Sequence, residues 1–248
     1  MALQILPDLH LESPKLYDIF PIAPKSPILA LLGDIGTLGP HKTDLLSFLQ
    51  TQLKQYQAVL FNFQNEVSQN ASLGTFVLLD RASYQIPETK TMILGCSLFS
   101  CIPEEDAMEV EMRLNDFYST EDWTVPQHNA AHTRDLQWLN EQVSVLEHLE
   151  TIENIIILTH WSPSTEARAM DPKHKGSPIT SAFSTDLTRE LCFQSEKVKF
   201  WGFGHTHWNC DFGVERGGGK DALRLATNQR GYSFAQADSF AMDWTISL

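Results

Sequence analysis

Two histidines spaced one residue apart, in Gly204-His205-Thr206-His207, follow the apolar run 198–203. In an extended backbone, residues i and i+2 project to the same side. Two imidazoles would therefore face one place. Asp8 and His10, around Leu9, repeat that spacing after the short apolar run 3–6. Asp34 closes the run 27–34, "PILALLGD", and His160 closes 154–160, "NIIILTH". Imidazoles and carboxylates are ligands for divalent metal ions, and a carboxylate can bridge two of them. Each element alone has a bland reading: a loop DxH, a turn aspartate, a packed histidine. Together and in order, each at the end of an apolar run, they point to a metal site.

Such a site needs elements that bring those ends to one edge. The runs 27–34, 58–61, 74–80 and 154–160 are short and apolar throughout, as strands buried on both faces are. Residues 90–100 read as one bent strand or two short ones, and 222–232 as a strand and turn. Segments 42–56 and 128–149 carry apolar residues at helical spacing. Strands alternating with helices argue for α/β layering, and in open α/β sheets sites form at the carboxyl ends of strands.

A length of 248 residues with no evident linker or repeat suits a single domain, 1–248. The formal charge of −13 opposes nucleic-acid or anionic-membrane partners. It leaves room for a phosphate ester, because bound cations invert the field locally. The first residues lack the basic and apolar regions of a signal peptide, no apolar run is long enough to span a bilayer, and the four cysteines form no CxxC pair. A cytoplasmic protein with reduced thiols is expected. The sequence does not set its oligomeric state.

The words "LPDLHLE", "LLGDIG", "THWSP" and "GFGHTHWNCDF" resemble those of the calcineurin-like metallophosphoesterases, in order and over nearly the whole chain. "LGCSLFS", "LNDFYSTEDWTV", "HNAAH", "DPKHKGSPI" and "TNQRGY" look like a fungal-type subgroup of that family whose substrate is generally unassigned. The resemblance implies a four-layer α/β/β/α sandwich with a dinuclear centre. Asp8, His10, Asp34 and His207 would hold the first metal, Asp34 would bridge, and His160 and His205 would serve the second. One or two ions of Mn, Fe or Zn are implied, and a metal-bound hydroxide would hydrolyse a small phosphate mono- or diester.

The chain departs from that pattern in three places. Pro7 stands where a small residue usually precedes DxH, and Trp161 where a second histidine is common. Third, the family's G-N-H-[DE] should follow the strand Ala58–Phe61, and "FNFQNEVSQ" stands there instead. In the family, that Asn binds the second metal and that His serves as general acid. Either Asn62 keeps a weak ligand role, or a segment near 60–64 is deleted and the stretch after Phe61 is the tail of the next helix. We prefer the deletion. A natural deletion and an exon lost from the gene prediction would leave the same sequence. The expected activity is a phosphoesterase impaired at its second metal and lacking the usual acid. The alternative is a catalytically inactive metal-binding or interaction protein on the same scaffold.

Other residues weigh less. His174, in a Pro/Gly-rich loop, would face the substrate by resemblance. Asn228 and Arg230 either contact phosphate or serve as turn and surface residues. Asn115 and Asp116 either cap a turn or line the cleft, and capping is preferred. His128, His132 and His148 read as surface or packing residues, and Trp201, Trp208 and Trp244 as core.

Overall fold

The computed structural model describes residues 2–62 and 73–247. In chain order the elements are β1 (Ala2–Ile5), β2 (Ile28–Leu31), α1 (Lys42–Leu53), β3 (Ala58–Phe61), β4 (Thr75–Leu78), β5 (Ala82–Gln85) and β6 (Thr91–Cys96). Then follow α2 (Ala107–Arg113), α3 (Asp116–Ser119), α4 (Val125–Glu147), β7 (Asn154–Thr159), α5 (Leu191–Gln194), β8 (Val198–Gly202), β9 (Cys210–Val214) and β10 (Leu223–Thr227). A two-stranded hairpin of β11 (Gly231–Tyr232) and β12 (Ala235–Gln236) precedes the last strand, β13 (Thr245–Ser247).

Two sheets form the body. One has the order β13-β1-β2-β3-β4, the other β5-β6-β7-β8-β10-β9. Pairings inside both are parallel, and antiparallel pairs occur only at edges: β13 on β1, β5 on β6 and β9 on β10. Parallel strands must be covered on both faces. The alternation of side chains meets that need. Leu3, Ile5, Ile28, Ala30 and Leu60 meet Ile93, Ile156, Leu158 and Phe200 between the sheets. Leu29, Leu31, Val59 and Phe61 pack under Leu45, Phe48 and Leu49 of α1. Leu94, Ile155, Ile157 and Trp201 pack under Leu139, Val143 and Leu146 of α4. Two parallel-rich sheets with helices packed on them make an α/β architecture.

The predicted strand 58–61 is β3, and it pairs with β4 in parallel, Ala58 opposite Thr75. The helical tail expected after it falls on 63–72, outside the described residues. Helix α4 starts three residues before the periodicity suggested. Thr124 is its N-cap, where its N–H donates to Gln127 Oε1 at 2.8 Å.

His128 and His132, on α4, are buried rather than superficial. His128 sits among Phe99, Trp123 and Trp161, and its Nε2 accepts from the Ser100 N–H at 3.1 Å. Burial first, then the neighbouring His132, push its pKa down to about 4. The unfolded chain would take up that proton near 6.5, so stability from a neutral His128 is full above 6.5 and is lost as pH falls toward 4. We expect His128 alone to cost the metal-free protein roughly 3 kcal/mol between those limits. Urea melts from pH 7 to 4.5 will show this, and His128→Phe should weaken the slope.

Candidate metal centre

Loops after β1, β2, β7 and β8 converge at the carboxyl edge of the sheets. Their backbones are laced together: Asp8 N–H donates to Gly33 O (3.0 Å), His10 N–H to Asp34 O (2.9 Å) and Gly204 N–H to His160 O (2.8 Å). Asp8, His10, Asp34, His205 and His207 all lie in the left-handed region, with φ of 53°, 46°, 47°, 68° and 47°. Such a conformation costs about 1–3 kcal/mol per non-glycine residue and persists where surroundings enforce it, often at functional sites. Two glycines permit the close approach. A Cβ on Gly33 would lie 2.4 Å from His160 Nδ1, and one on Gly204 would lie 2.5 Å from Asp8 Oδ2.

Two groups result, sharing one carboxylate. Asp8, His10, Asp34 and His207 each offer a ligand atom within 4.8 Å of the others, and so do Asp34, His160 and His205. Asp34 Oδ2 stands 3.8 Å from both His10 Nε2 and His160 Nε2. His10 Nε2 and His207 Nε2 lie 3.1 Å apart, and His207 Nε2 is 3.4 Å from Asp8 Oδ1. Two ring nitrogens pointing at one spot suit a shared cation better than each other.

The protonation states also suit a metal. His160 Nδ1 donates to Leu32 O at 2.8 Å, which leaves Nε2 with its lone pair toward Asp34. His205 Nε2 is buried with no hydrogen-bond partner among the described residues. Burial, then His160 and His207, push the His205 pKa well down, so the ring is neutral and ready to ligate. Burial opposes ionisation of Asp8, but a bond from His207 and the charges of the surrounding histidines outweigh it and lower its pKa. A fully buried carboxylate, Asp8, gathered with imidazoles whose ligand atoms converge is costly without a cation. The residues fit one or two divalent ions, and the mixed oxygen and nitrogen set does not discriminate among Mn, Fe and Zn.

Sequence reasoning missed several supports. Glu12 Oε1 accepts from His10 Nδ1 at 3.1 Å, aiming Nε2 at the cluster. Burial opposes charge on that ring, but Glu12 first, then Asp34 and Asp8, raise its pKa. Gln229 holds the His205–His207 turn: its Oε1 accepts from His207 N–H and its Nε2 donates to Thr206 Oγ1 at 2.9 Å. Tyr232 stacks on His10 at 4.1 Å. The wording "DLHLE" already displayed Glu12, at the same i+2 spacing as the ligands, while nothing in "TNQRGY" singles out Gln229. Because such a partner typically contributes 10–100-fold in metal affinity, Glu12→Gln should weaken the first site by about that factor. Calorimetric metal titration of the variant checks this.

Other expected residues fall elsewhere. The Asn62 side chain is buried and engaged with β6, donating to Cys96 O at 2.7 Å and accepting from Ser97 Oγ at 3.1 Å. The Ser97 carbonyl accepts from His160 and Trp161 N–H, so Asn62 braces the His160 turn from behind. Phe61 points into the α1 side of the core. Asn228 is buried and binds Ile5 O and Ala241 O; Arg230 donates to Leu9 O and covers the Phe20 ring. Neither is among the residues that line the cavity. Both side chains point inward and tie β1 and its loop to the segment after β10.

A cavity of about 650 Å³ opens over the cluster. His174 lines it, at an exposed position. Asn115 and Asp116 line it too, the less preferred of their two readings, and so does Trp208, contrary to its reading as core. Asn115 makes no side-chain cap to α3.

No protein-family model and no curated protein matches the sequence. Among solved structures, the chain is similar to phosphopantetheinyl hydrolase from Mycobacterium tuberculosis, with a TM-score of 0.62 and 14% identity, covering 93% of this chain and 89% of that one. A dimetal phosphatase from Danio rerio superposes with a TM-score of 0.49 and 14% identity, covering 94% and 88%. The first likeness shows a shared α/β fold. Among the described residues, no helix is long and apolar enough to cross a membrane.

Proposed function

We propose that the chain is a metal-dependent phosphoesterase acting on a small phosphate ester, with Asp34 as the bridging ligand. What supports it most is the pair of ligand groups meeting at Asp34, one with Asp8, His10 and His207 and the other with His160 and the buried His205. Asp8, His10, Asp34 and His207 would hold one ion, and Asp34, His160 and His205 a second. Bound divalent ions supply Lewis-acid charge and an activated water. Asp8 and Asp34 neutralise half the charge of two dications, so about +2 is left to receive a phosphate. Glu12 and the Leu32 carbonyl keep the His10 and His160 rings aimed.

The reading includes a handicap. The resemblance places an Asn ligand and an acidic His after β3, and the chain has Phe61-Asn62-Phe63. The Asn62 amide is already used between β3 and β6. We therefore read the second metal site as the weaker one and the protein as a fungal-type cytosolic member with a shortened β3–β4 connection. A second reading, a catalytically inactive metal-binding scaffold, draws on that same engaged amide.

Metal analysis with an activated aryl phosphate assay separates the two. The enzyme reading expects turnover that rises as a second equivalent of Mn or Zn binds, and His205→Ala should remove that equivalent. Metal binding without turnover at any concentration supports the inactive scaffold. Unchanged stoichiometry in His205→Ala would show that the second site never fills.

A further inference from the structure

The cavity is much larger than a phosphate group, and its walls are unlike its floor. The floor carries His10, Asp34, His205 and His207. The walls carry Leu114, Met170, Ile179, Phe183, Trp208 and Tyr232. A volume of about 650 Å³ lies in the range of pockets that enclose drug-sized ligands. Once a phosphate is seated on the floor, most of the space belongs to the alcohol that it esterifies.

Charge on the walls then decides which alcohol. Two dications, the Asp8 and Asp34 carboxylates and a phosphate dianion sum to about zero, so the floor exerts little net field on the rest of the ligand. The carboxylates beyond the floor are Glu12, Asp116, Asp171 and Asp238, and the lining has one lysine, Lys173. Glu12 is bonded to His10, and Lys173 lies 2.6 Å from Asp171, so these are internally matched. Asp238 is at an exposed position. Asp116, the first residue of α3, has no ion pair or side-chain hydrogen bond among the described residues. Among the described residues, the lining has no arginine and, apart from the exposed His174, no unmatched cationic group to receive a second anion.

We propose that the substrate is a phosphomonoester of an alcohol with an apolar body and a positively charged nitrogen, and that Asp116 reads that nitrogen. The proposal rests on the phosphoesterase reading and names its substrate class. Burial, then the Asp34 charge, push the Asp116 pKa up to about 6, as expected of a carboxylate that lacks a cation. A bound ammonium would supply one, and the Trp208 indole lines the same cavity. Nucleotides and sugar bisphosphates, with their further anionic groups, would meet the acidic walls instead.

The test uses calorimetry on the Mn-loaded full chain with inorganic phosphate and three alkylphosphonates of matched length, ending in ammonium, methyl or carboxylate. The expected order is ammonium tightest and carboxylate weakest, with at least about a tenfold spread, since a hydrogen bond to a charged group is worth that much. Asp116→Asn should shrink the spread severalfold and change the affinity for inorganic phosphate far less. Carboxylate binding as tightly as ammonium in the wild type would overturn the proposal without any variant. An undiminished spread in a folded Asp116→Asn would overturn the role of Asp116. Failure of inorganic phosphate to bind would instead remove the phosphoesterase reading, and this proposal with it.

Discussion

Replacing Asp34 with Asn is expected to strip both ions and lower kcat on an aryl phosphate by at least about 10²–10³-fold, the scale seen when one preorganised charge-stabilising group is removed. Asp34 belongs to both ligand groups, and its Oδ2 stands 3.8 Å from a histidine nitrogen of each. Among the described residues, no other belongs to both groups. Asn is the replacement to use, because Asp34 has a φ of 47° and Asn is among the few residues that tolerate it. The metal-free melting temperature should therefore hardly change, which separates loss of metal from loss of fold. His205→Ala touches only the second group and should cost one ion. Elemental analysis of both variants beside the wild type reads the difference directly.

The second large effect concerns the leaving group. No His follows β3 at Asn62 to protonate a departing alkoxide. General acid catalysis contributes typically about 10²–10⁴-fold, so alkyl phosphates should suffer a loss of that size relative to aryl phosphates, whose leaving groups need no proton. Turnover should also require high metal concentration if, as proposed, the second site is the weaker one. Kinetics on a series of esters of graded leaving-group pKa, repeated across metal concentrations, measures both. A steep dependence is expected. Equal turnover of alkyl and aryl esters at low metal would contradict the account and point to another proton donor. Asp116, on the cavity wall, would be the residue to replace next.

How much of this was legible depended on direction. Runs such as Ile155–Leu158 are buried on both faces, and composition alone marks them as strands. The edge strands β5, β9 and β13 were not anticipated. Their burial alternates or fades, as in Ala82–Gln85, and β13 exists only because it pairs with β1 across the whole chain. The Asp and His residues were legible because they interrupt apolar runs at strand ends. Their left-handed backbone was not, because φ is enforced by contacts between loops distant in sequence. The same holds for Asn228 and Arg230: residue type suggests phosphate, but only the packed chain shows the side chains turned toward Ile5 and Leu9. Asp116 admits two readings from sequence: an Asn-Asp pair suits a turn cap as well as a cleft wall, and only the packed chain places it on the cavity. The departure after β3 from the pattern the sequence resembles was legible in the residues themselves. Its structural consequence at Asn62, a brace between β3 and β6, was not.

The central claim is that Asp34 joins two metal sites. Crystals soaked in millimolar Mn and measured for anomalous scattering test it most directly. The account predicts two peaks, one among Asp8, His10, Asp34 and His207 and a weaker one among Asp34, His160 and His205, with Asp34 touching both. No peak at either group, at any Mn concentration the crystals survive, would contradict it.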